Sequence, residues 1–154
     1  MIEIQEAKSQ DCEEIIFLQK AAYESEAKLY NDWTLPPLLQ TPDSLREELE
    51  TSLILKGVEG KKIVGSVRAK LVADTCHIGR LIVHPDFQGK GIGTELLMHI
   101  EKRFSQTGQY ELFTGSKSES NIRFYLRNNY EISKTQDLNE TISLVYLIKL
   151  NKDL

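Results

Sequence analysis

An apolar run, a glycine-rich turn and an apolar-striped helix follow one another between residues 76 and 104, and this order limits the possible folds more than any other feature. Residues 76–83 are apolar on both faces toward their end, which is typical of a central strand. The turn, residues 84–93, reads HPDFQGKGIG and carries three of the nine glycines of the chain at alternate positions. The sequence therefore predicts a strand that stops at Pro85, a turn with little side-chain cover and a helix from Thr94. The apolar stripe of that helix comprises Leu96, Leu97, Ile100 and Phe104.

The glycines of this turn predict an anion-binding site. The first N–H groups of a helix have no partner within the helix, and the helix dipole adds positive potential at the same end. Glycine keeps side chains away from those N–H groups and permits a positive φ. The segment Gly91-Ile-Gly93-Thr-Glu-Leu matches neither the G-x-x-x-x-G-K-S/T loop nor the G-x-G-x-x-G fingerprint. A phosphate group is therefore expected at this turn, in neither of those two nucleotide-binding arrangements.

The remaining hydrophobic pattern predicts an α/β (α+β) fold with a mixed sheet flanked by helices. Residues 24–41 have no clean period and contain prolines, so an irregular loop with short helical pieces is expected there. Apolar runs predict strands at 2–4, 53–59, 63–71, 76–83, 110–114, near Glu131 and at 142–150. Helical periodicity predicts helices at about 11–23, at 43–51, from Thr94 and at 121–129.

Length and composition indicate one globular domain, 1–154, and limit the classes of partner that it can bind. The 154 residues carry a formal net charge of −4 with a pI near 5.5, which argues against a nucleic-acid surface. No apolar run reaches membrane-spanning length and the first residues lack a secretory pattern, so a cytoplasmic protein with no membrane partner is expected. Cys12 and Cys76 are expected to be buried thiols. The three histidines form no ligand pattern, so no metal is expected.

Two segments resemble the GCN5-related N-acetyltransferases (GNAT). Gln88, Gly91 and Gly93 satisfy that family's acetyl-CoA-binding pattern, Q/R-x-x-G-x-G/A, between a strand ending in V-x-P and a long helix. Residues 121–130 resemble its other recurrent segment, an asparagine, a Phe-Tyr pair and a turn. Asn129 stands where a glycine is usual, and asparagine also tolerates the left-handed conformation. The resemblance implies a mostly antiparallel central sheet flanked by helices, with a V-shaped splay between the two central parallel strands.

The resemblance also implies an acyl-CoA-dependent N-acetyltransferase, in which a primary amine attacks acetyl-CoA, the co-substrate, directly through a tetrahedral intermediate. The main chain of Leu81 and Val83 would bind the pantetheine arm. Tyr125 would be the catalytic donor to the departing thiolate, or else pack in the core. Asn121 would bond the cofactor arm or cap its helix, and Lys90 would either add a charge to the pyrophosphate site or remain solvated. That pyrophosphate site would comprise Gln88, Gly89, Lys90, Gly91, Ile92, Gly93 and Thr94.

The general base does not follow from the sequence. Many members of the family carry a glutamate on the central strand where this chain has Gly79 and Arg80. Deprotonation of the acceptor is therefore expected either through ordered water or through Glu24, Glu26 or Asp32.

The acceptor is expected to be a small-molecule amine, because aromatic faces beside carboxylates suit a cation. In this family the first two helices and their connection form much of the acceptor pocket. Tyr30 and Trp33 could instead anchor a loop to the core. Arg68 and Arg80 could bind an acceptor carboxylate, or pair with the acids of that loop. The candidate acceptor residues are Tyr23, Glu24, Tyr30, Trp33, Arg68 and Arg80.

Other functions fit the same sequence. A protein N-acetyltransferase would need an open peptide groove, and a non-catalytic acyl-CoA-binding or sensing module would keep the glycine turn without needing Tyr125. A C-terminal strand at a sheet edge could pair across a homodimer, although a monomer fits equally well.

Overall fold

Seven strands form one mixed sheet in the order β1-β2-β3-β4-β5-β7-β6. The structure, a computed structural model, describes residues 2–152; residues 1, 153 and 154 of the predicted domain 1–154 lie outside the described part. Neighbouring strands are antiparallel except β4 and β5. The predicted mostly antiparallel mixed sheet is therefore confirmed. The strands are Glu3–Glu6 (β1), Leu53–Glu59 (β2), Lys62–Val72 (β3), Thr75–Val83 (β4), Gln109–Gly115 (β5), Glu131–Asp137 (β6) and Ser143–Leu150 (β7).

Helices cover both faces of the sheet. Successive strand residues face opposite sides, so Ile54 packs with α1 and α4 while Leu55 packs with α5. None of the helices within residues 2–152 combines the length and the apolar character needed to cross a membrane. The helices are Cys12–Ala22 (α1), Glu24–Tyr30 (α2), Pro36–Leu39 (α3), Pro42–Glu48 (α4), Ile92–Arg103 (α5) and Glu119–Arg127 (α6), and short 3₁₀ turns occur at Ser9–Asp11 and Pro85–Phe87.

The two parallel strands diverge soon after they begin. β4 and β5 pair only from Thr75–Gln109 to His77–Glu111, whereas β5 pairs with β7 along its whole length. The remaining residues of β4 have no strand partner on the β5 side within the described part of the chain. The predicted V-shaped splay between the central parallel strands is confirmed.

A β-bulge lies in the unpaired half of β4. Between the pairs Ser66–Ile82 and Arg68–Gly79, β4 contains one residue more than β3. Arg80 has φ 49°, a left-handed conformation that is unusual for a residue with a side chain. Because a bulge bends its strand and disturbs the ladder, this irregularity fits the divergence of β4 from β5.

The segment 24–41 contains two short helical pieces joined by irregular turns, as the sequence predicted. Glu24–Tyr30 forms helix α2, which ends at Asn31 with φ 50°, and Pro36–Leu39 forms a single helical turn. Within α2 only Ala27 is fully buried, so the sequence carries no apolar stripe from which the bounds of the helix could be predicted.

The C-terminal strand differs from one expectation. β7 lies between β5 and β6, so both of its edges are already paired and β6 is the edge strand. A homodimer formed through a free edge of the C-terminal strand is therefore wrong. Other predictions hold: Cys12 and Cys76 are buried free thiols, and α5 begins at Ile92, two residues before the expected Thr94.

Candidate active site

A cavity of about 580 Å³ opens where the glycine turn, the free half of β4, the α1–α2 connection and α6 meet. All predicted cofactor residues except Lys90 line it. Tyr125 and Tyr23 line it too, whereas five candidate acceptor residues lie outside the lining: Glu24, Tyr30, Trp33, Arg68 and Arg80. Sequence reasoning missed several further lining residues: Ser25, Phe87, Ser120, Phe124 and Arg127.

The glycine turn has the backbone that the sequence predicted. Gly89 and Gly91 have φ 77° and 81°, and a Cβ added at either would meet no atom within 4 Å. Gly91 caps α5, whose first intrahelical hydrogen bond runs from the Glu95 N–H to the Gly91 carbonyl. The N–H groups before Glu95 are therefore free of helical partners, and no side chain at the cap competes for them. This bare row of donors fits a phosphate group.

Two contacts fix the position of the turn. Gln88 Nε2 donates a hydrogen bond to the Val83 carbonyl over 3.3 Å, which ties the turn to the end of β4. Gly93 lies against the ring of Phe124, 3.4 Å from where its Cβ would stand, so α6 packs closely on the first turn of α5. Lys90 points outward, with its Nζ 5.2 Å from the centroid of the Phe87 ring.

The free half of β4 borders the cavity with Leu81 and Val83. Because the β5 side of this segment has no strand partner within residues 2–152, its main-chain groups on that side are open to an extended ligand. Strand-like addition of a ligand to such an edge is a common mode of recognition.

Tyr125 is 9% exposed and reaches the cavity from α6. Its ring makes edge contacts with Phe124 and Tyr130, at centroid distances of 5.3 and 6.0 Å. Its hydroxyl makes no hydrogen bond to any part of residues 2–152. Burial raises the pKa of Tyr125 above its ordinary range, and the nearby Tyr23 and Glu26 add to the effect. The phenol is therefore protonated at neutral pH and is a donor rather than a base.

Glu26 is the carboxylate that reaches the cavity, and it comes from α2. The Ser118 hydroxyl donates to its Oε2 over 2.6 Å, and Asn121 Nδ2 lies 3.4 Å from its Oε1. Asn121 also donates to the Thr114 hydroxyl over 3.3 Å, so it bridges α2 and β5 and does not cap its own helix. Glu26 is one of the three carboxylates that were predicted, beside ordered water, as candidates for the general base. It lies one helical turn after Tyr23, and this spacing brings the two side chains together because the segment is a helix.

The other residues that were predicted in the 24–32 segment and at Trp33 do not line the cavity. Tyr30 Oη accepts a hydrogen bond from the Lys117 N–H over 2.9 Å and lies against Gly115, so it anchors α2 to the loop before α6. Trp33 is 54% exposed. Asp32 accepts hydrogen bonds from the N–H and hydroxyl of Thr34, which lower its pKa. Asp32 therefore serves the local turn.

Arg68 and Arg80 do not line the cavity. Arg68 is 6% exposed; its guanidinium pairs with Glu48 of α4 and donates to Gln19 of α1. Arg80 makes one long contact, 3.4 Å to Gln40 Oε1. The expectation that Arg68 pairs with the acids of the 24–32 segment is wrong, because its carboxylate partner lies on α4. Burial also raises the pKa of the half-buried Tyr23, which the charge of Arg80 partly offsets.

Comparison with known proteins identifies the family. The model of the acetyltransferase (GNAT) family matches residues 18–130, which include the glycine turn, Glu26 and Tyr125. The chain belongs to the GNAT family. The predicted family and the predicted enzyme class, an N-acetyltransferase, are thereby confirmed.

Relatives of this GNAT protein share its whole fold at low identity. Spermidine N(1)-acetyltransferase of Thermoplasma acidophilum is 23% identical over 146 residues, which cover 87% of this chain and 91% of the relative. The PaiA N-acetyltransferase of the same organism, solved in complex with coenzyme A, has a TM-score of 0.81 at 18% identity, covering 97% of this chain and 99% of that one. The ribosomal-protein-S18-alanine N-acetyltransferase of Escherichia coli has a TM-score of 0.80 at 14% identity, covering 97% and 94%. The names of these relatives assign different acceptors, so they do not fix the acceptor of this chain.

Proposed function

We propose that this GNAT protein, acting as a single acetyltransferase domain over residues 1–154, transfers the acetyl group of acetyl-CoA to a primary amine of a small molecule that carries more than one amine. Acetyl-CoA supplies a thioester-activated acetyl group and a thiol leaving group. The observation that carries the proposal is the Glu26 carboxylate, which lines the same cavity as Tyr125 and the glycine turn.

The donor side of the proposal rests on the turn and the free strand edge. The N–H groups from Gly89 to Thr94 would hold the pyrophosphate, and the main chain of Leu81 and Val83 would hold the pantetheine arm. The Val83 carbonyl already accepts from Gln88, so Gln88 would keep the turn in shape. The complex of the PaiA relative with coenzyme A supports acetyl-CoA as the donor.

Tyr125 would donate a hydrogen bond from its Oη to the departing sulfur. A group with a raised pKa keeps its proton at neutral pH, and the hydroxyl has no competing partner within residues 2–152. The departing thiolate is the group that such a phenol can stabilise, because an O–H that keeps its proton donates a hydrogen bond to the charge that develops on sulfur.

The acceptor side depends on what Glu26 can do. The Glu26 carboxylate places a negative charge in the cavity, whereas the amine that attacks the thioester must be neutral. Glu26 is therefore suited to binding an ammonium group, and the reacting amine would enter the cavity in its neutral form, having lost its proton to the buffered solvent. A diamine or polyamine meets both needs: one ammonium pairs with Glu26 while a second, neutral amine reacts. The spermidine N(1)-acetyltransferase relative supports this class.

Thiol release from acetyl-CoA tests the proposal across matched acceptors. A diamine should be acetylated with a lower KM than the monoamine of the same chain length, and better than amino acids or peptides that begin with alanine. Preference for the peptides would instead favour a protein N-acetyltransferase. Tight acetyl-CoA binding with no turnover on any acceptor would favour the non-catalytic sensing module.

Two glutamates on α2 give a matched pair of variants. Glu26→Gln keeps one acceptor oxygen, which can still accept from the Ser118 hydroxyl, and removes the charge. KM for the diamine should therefore rise about tenfold or more while KM for acetyl-CoA stays constant. Glu24→Gln removes the same charge two residues away, outside the cavity, and should change neither value by more than about twofold. Equal effects of the two variants would contradict the role of Glu26.

A further inference from the structure

Two lysines from different elements converge on one aromatic ring at the outer rim of the cavity. Lys62 Nζ lies 5.5 Å and Lys90 Nζ 5.2 Å from the centroid of the Phe87 ring. Phe87 packs against the main core and meets the His84 ring edge-on at 5.8 Å, so the ring is itself fixed. Attraction between an ammonium group and an aromatic face holds both charges near this ring.

The position of this pair relative to the glycine turn follows from the strand register. Gly65 pairs with Val83, so Lys62, three residues earlier on β3, lies beyond the end of β4 on the side where the turn begins. Phe87 lines the cavity, while neither lysine does. The two ammonium groups therefore flank the outer rim of the turn and stay away from the buried end at Tyr125.

Lys62 and Lys90 have carboxylates in their surroundings but no ion pair among the described residues: Glu59 is the register partner of Lys62, Glu14 accepts from the Ile63 N–H and Asp86 precedes Phe87. Neither Lys62 nor Lys90 forms an ion pair within residues 2–152, whereas Lys56 and Lys149 are paired with Asp11 and Glu101 over 3.0 Å. The chain as a whole carries a net charge of −4. Two ammonium groups that make no ion pair within residues 2–152 favour a ligand group with more than one negative charge at this place.

We infer that Lys62 and Lys90 bind the 3′-phosphate on the nucleotide end of coenzyme A, a part of the donor that no residue above holds. The inference rests on the proposed function: if the pyrophosphate lies on the turn and the acetyl end points to Tyr125, the nucleotide leaves the cavity over the rim. The 3′-phosphate is a monoester with close to two negative charges at neutral pH. Two ammonium groups on a shared ring match that charge, and the turn alone does not distinguish coenzyme A from 3′-dephospho-coenzyme A.

Calorimetric titration of the full chain with coenzyme A and with 3′-dephospho-coenzyme A tests the inference. Wild type should bind coenzyme A about tenfold to a hundredfold more tightly. Lys62→Met and Lys90→Met should each remove most of that preference by weakening coenzyme A alone, with affinity for the dephospho form unchanged. Lys61→Met removes the same charge from the neighbouring, exposed residue and should keep the preference.

The outcomes separate this inference from the proposed function. Equal binding of both ligands by wild type, or a preference lost in Arg127→Met and kept in both the Lys62 and Lys90 variants, would overturn the inference and leave the proposed function standing. Failure of wild type to bind either ligand would overturn both. A thermal unfolding midpoint within a few degrees of wild type confirms that each variant is folded.

Discussion

Gly91 and Gly60 share a backbone requirement for glycine but differ in their position relative to the cavity, and alanine variants can separate the two effects. Gly91 and Gly60 both have positive φ, 81° and 63°, and a Cβ at either would meet no atom within 4 Å. Only Gly91 lines the cavity. Alanine at each position should therefore reduce stability by a similar amount, about 1–2 kcal/mol, for the left-handed backbone.

Coenzyme A affinity should separate these two variants. In Gly91→Ala the added methyl group projects into the space in front of the turn, so affinity measured by calorimetry should fall at least about tenfold. Gly60→Ala lies in the β2–β3 hairpin and should keep wild-type affinity. Equal affinities in the two variants would contradict the assignment of the turn as the pyrophosphate site.

Tyr125 and Tyr130 allow the hydroxyl of one buried tyrosine to be compared with another. Tyr125→Phe keeps the ring contacts and removes only the proposed hydrogen-bond donor, so kcat should fall roughly a hundredfold with little change in coenzyme A affinity. Tyr130 donates its hydroxyl to Glu101 over 2.8 Å and lies outside the cavity lining. Tyr130→Phe should reduce stability by about 1–2 kcal/mol and keep kcat. A normal kcat in Tyr125→Phe would mean that Tyr125 only packs.

At the scale of elements, Arg68 joins β3 to α1 and α4 and is expected to act on stability rather than on the acceptor. Arg68→Met leaves the side-chain Oε1 of the fully buried Gln19 without its donor and leaves Glu48 without its ion-pair partner. The free energy of unfolding, measured in urea, should therefore fall by about 2–3 kcal/mol. Arg46→Met breaks more exposed ion pairs on the surface of α4 and should reduce the free energy of unfolding much less than Arg68→Met does. A raised KM for the amine in Arg68→Met at unchanged stability would restore Arg68 as an acceptor residue.

What the sequence could predict depended on whether the signal was local. The turn from Gly89 to Gly93 and the stripe of α5 are local patterns, so strand, turn and helix were predicted with an error of two residues at Ile92. Helix α2 buries only Ala27 and has no stripe, so the sequence predicted short helical pieces within 24–41 without their bounds, and Glu26 remained one of three candidate carboxylates.

Features that depend on strand register could not be predicted either, because they have no local signal in the sequence. The bulge at Arg80 is one extra residue of β4 relative to β3, and no residue type in the sequence indicates it. The inward turn of Arg68 toward Gln19 and Glu48 likewise depends on the packing of three elements. The six candidate acceptor residues were chosen by type, and of these only Tyr23 lines the cavity.

At the scale of the whole molecule, the divergence of β4 from β5 creates one cavity that is lined by residues from both faces of the sheet. The glycine turn and α6 approach it from the α5 side of the sheet, and Tyr23 and Glu26 approach it from the side of α1 and α2. A fully paired sheet would separate these groups by its own backbone. The early end of the β4–β5 ladder therefore lets donor and acceptor residues meet.

The pH dependence of stability is also a property of the whole molecule, since it sums over buried acids. Burial raises the pKa of the Cys76 thiol to about 12, and it raises the pKa values of Cys12, Tyr125 and Tyr130 as well. In the unfolded chain a thiol ionises near pH 8.5 and a phenol near pH 10. Above those pH values the unfolded state loses protons that the native state keeps, so the native state is destabilised as pH rises.

Urea denaturation at several pH values between 7 and 11 measures this dependence. Stability should be flat to about pH 8.5 and then fall, each retained proton contributing about 1.4 kcal/mol per pH unit until the native group itself ionises. Cys76→Ala removes one such group, so between pH 9 and 11 its slope should be shallower than that of wild type by about that amount. The tyrosine contribution, which starts near pH 10, should remain in both proteins. Parallel curves for wild type and Cys76→Ala would show that the Cys76 thiol ionises equally in the folded and unfolded chains, contrary to its burial in the core.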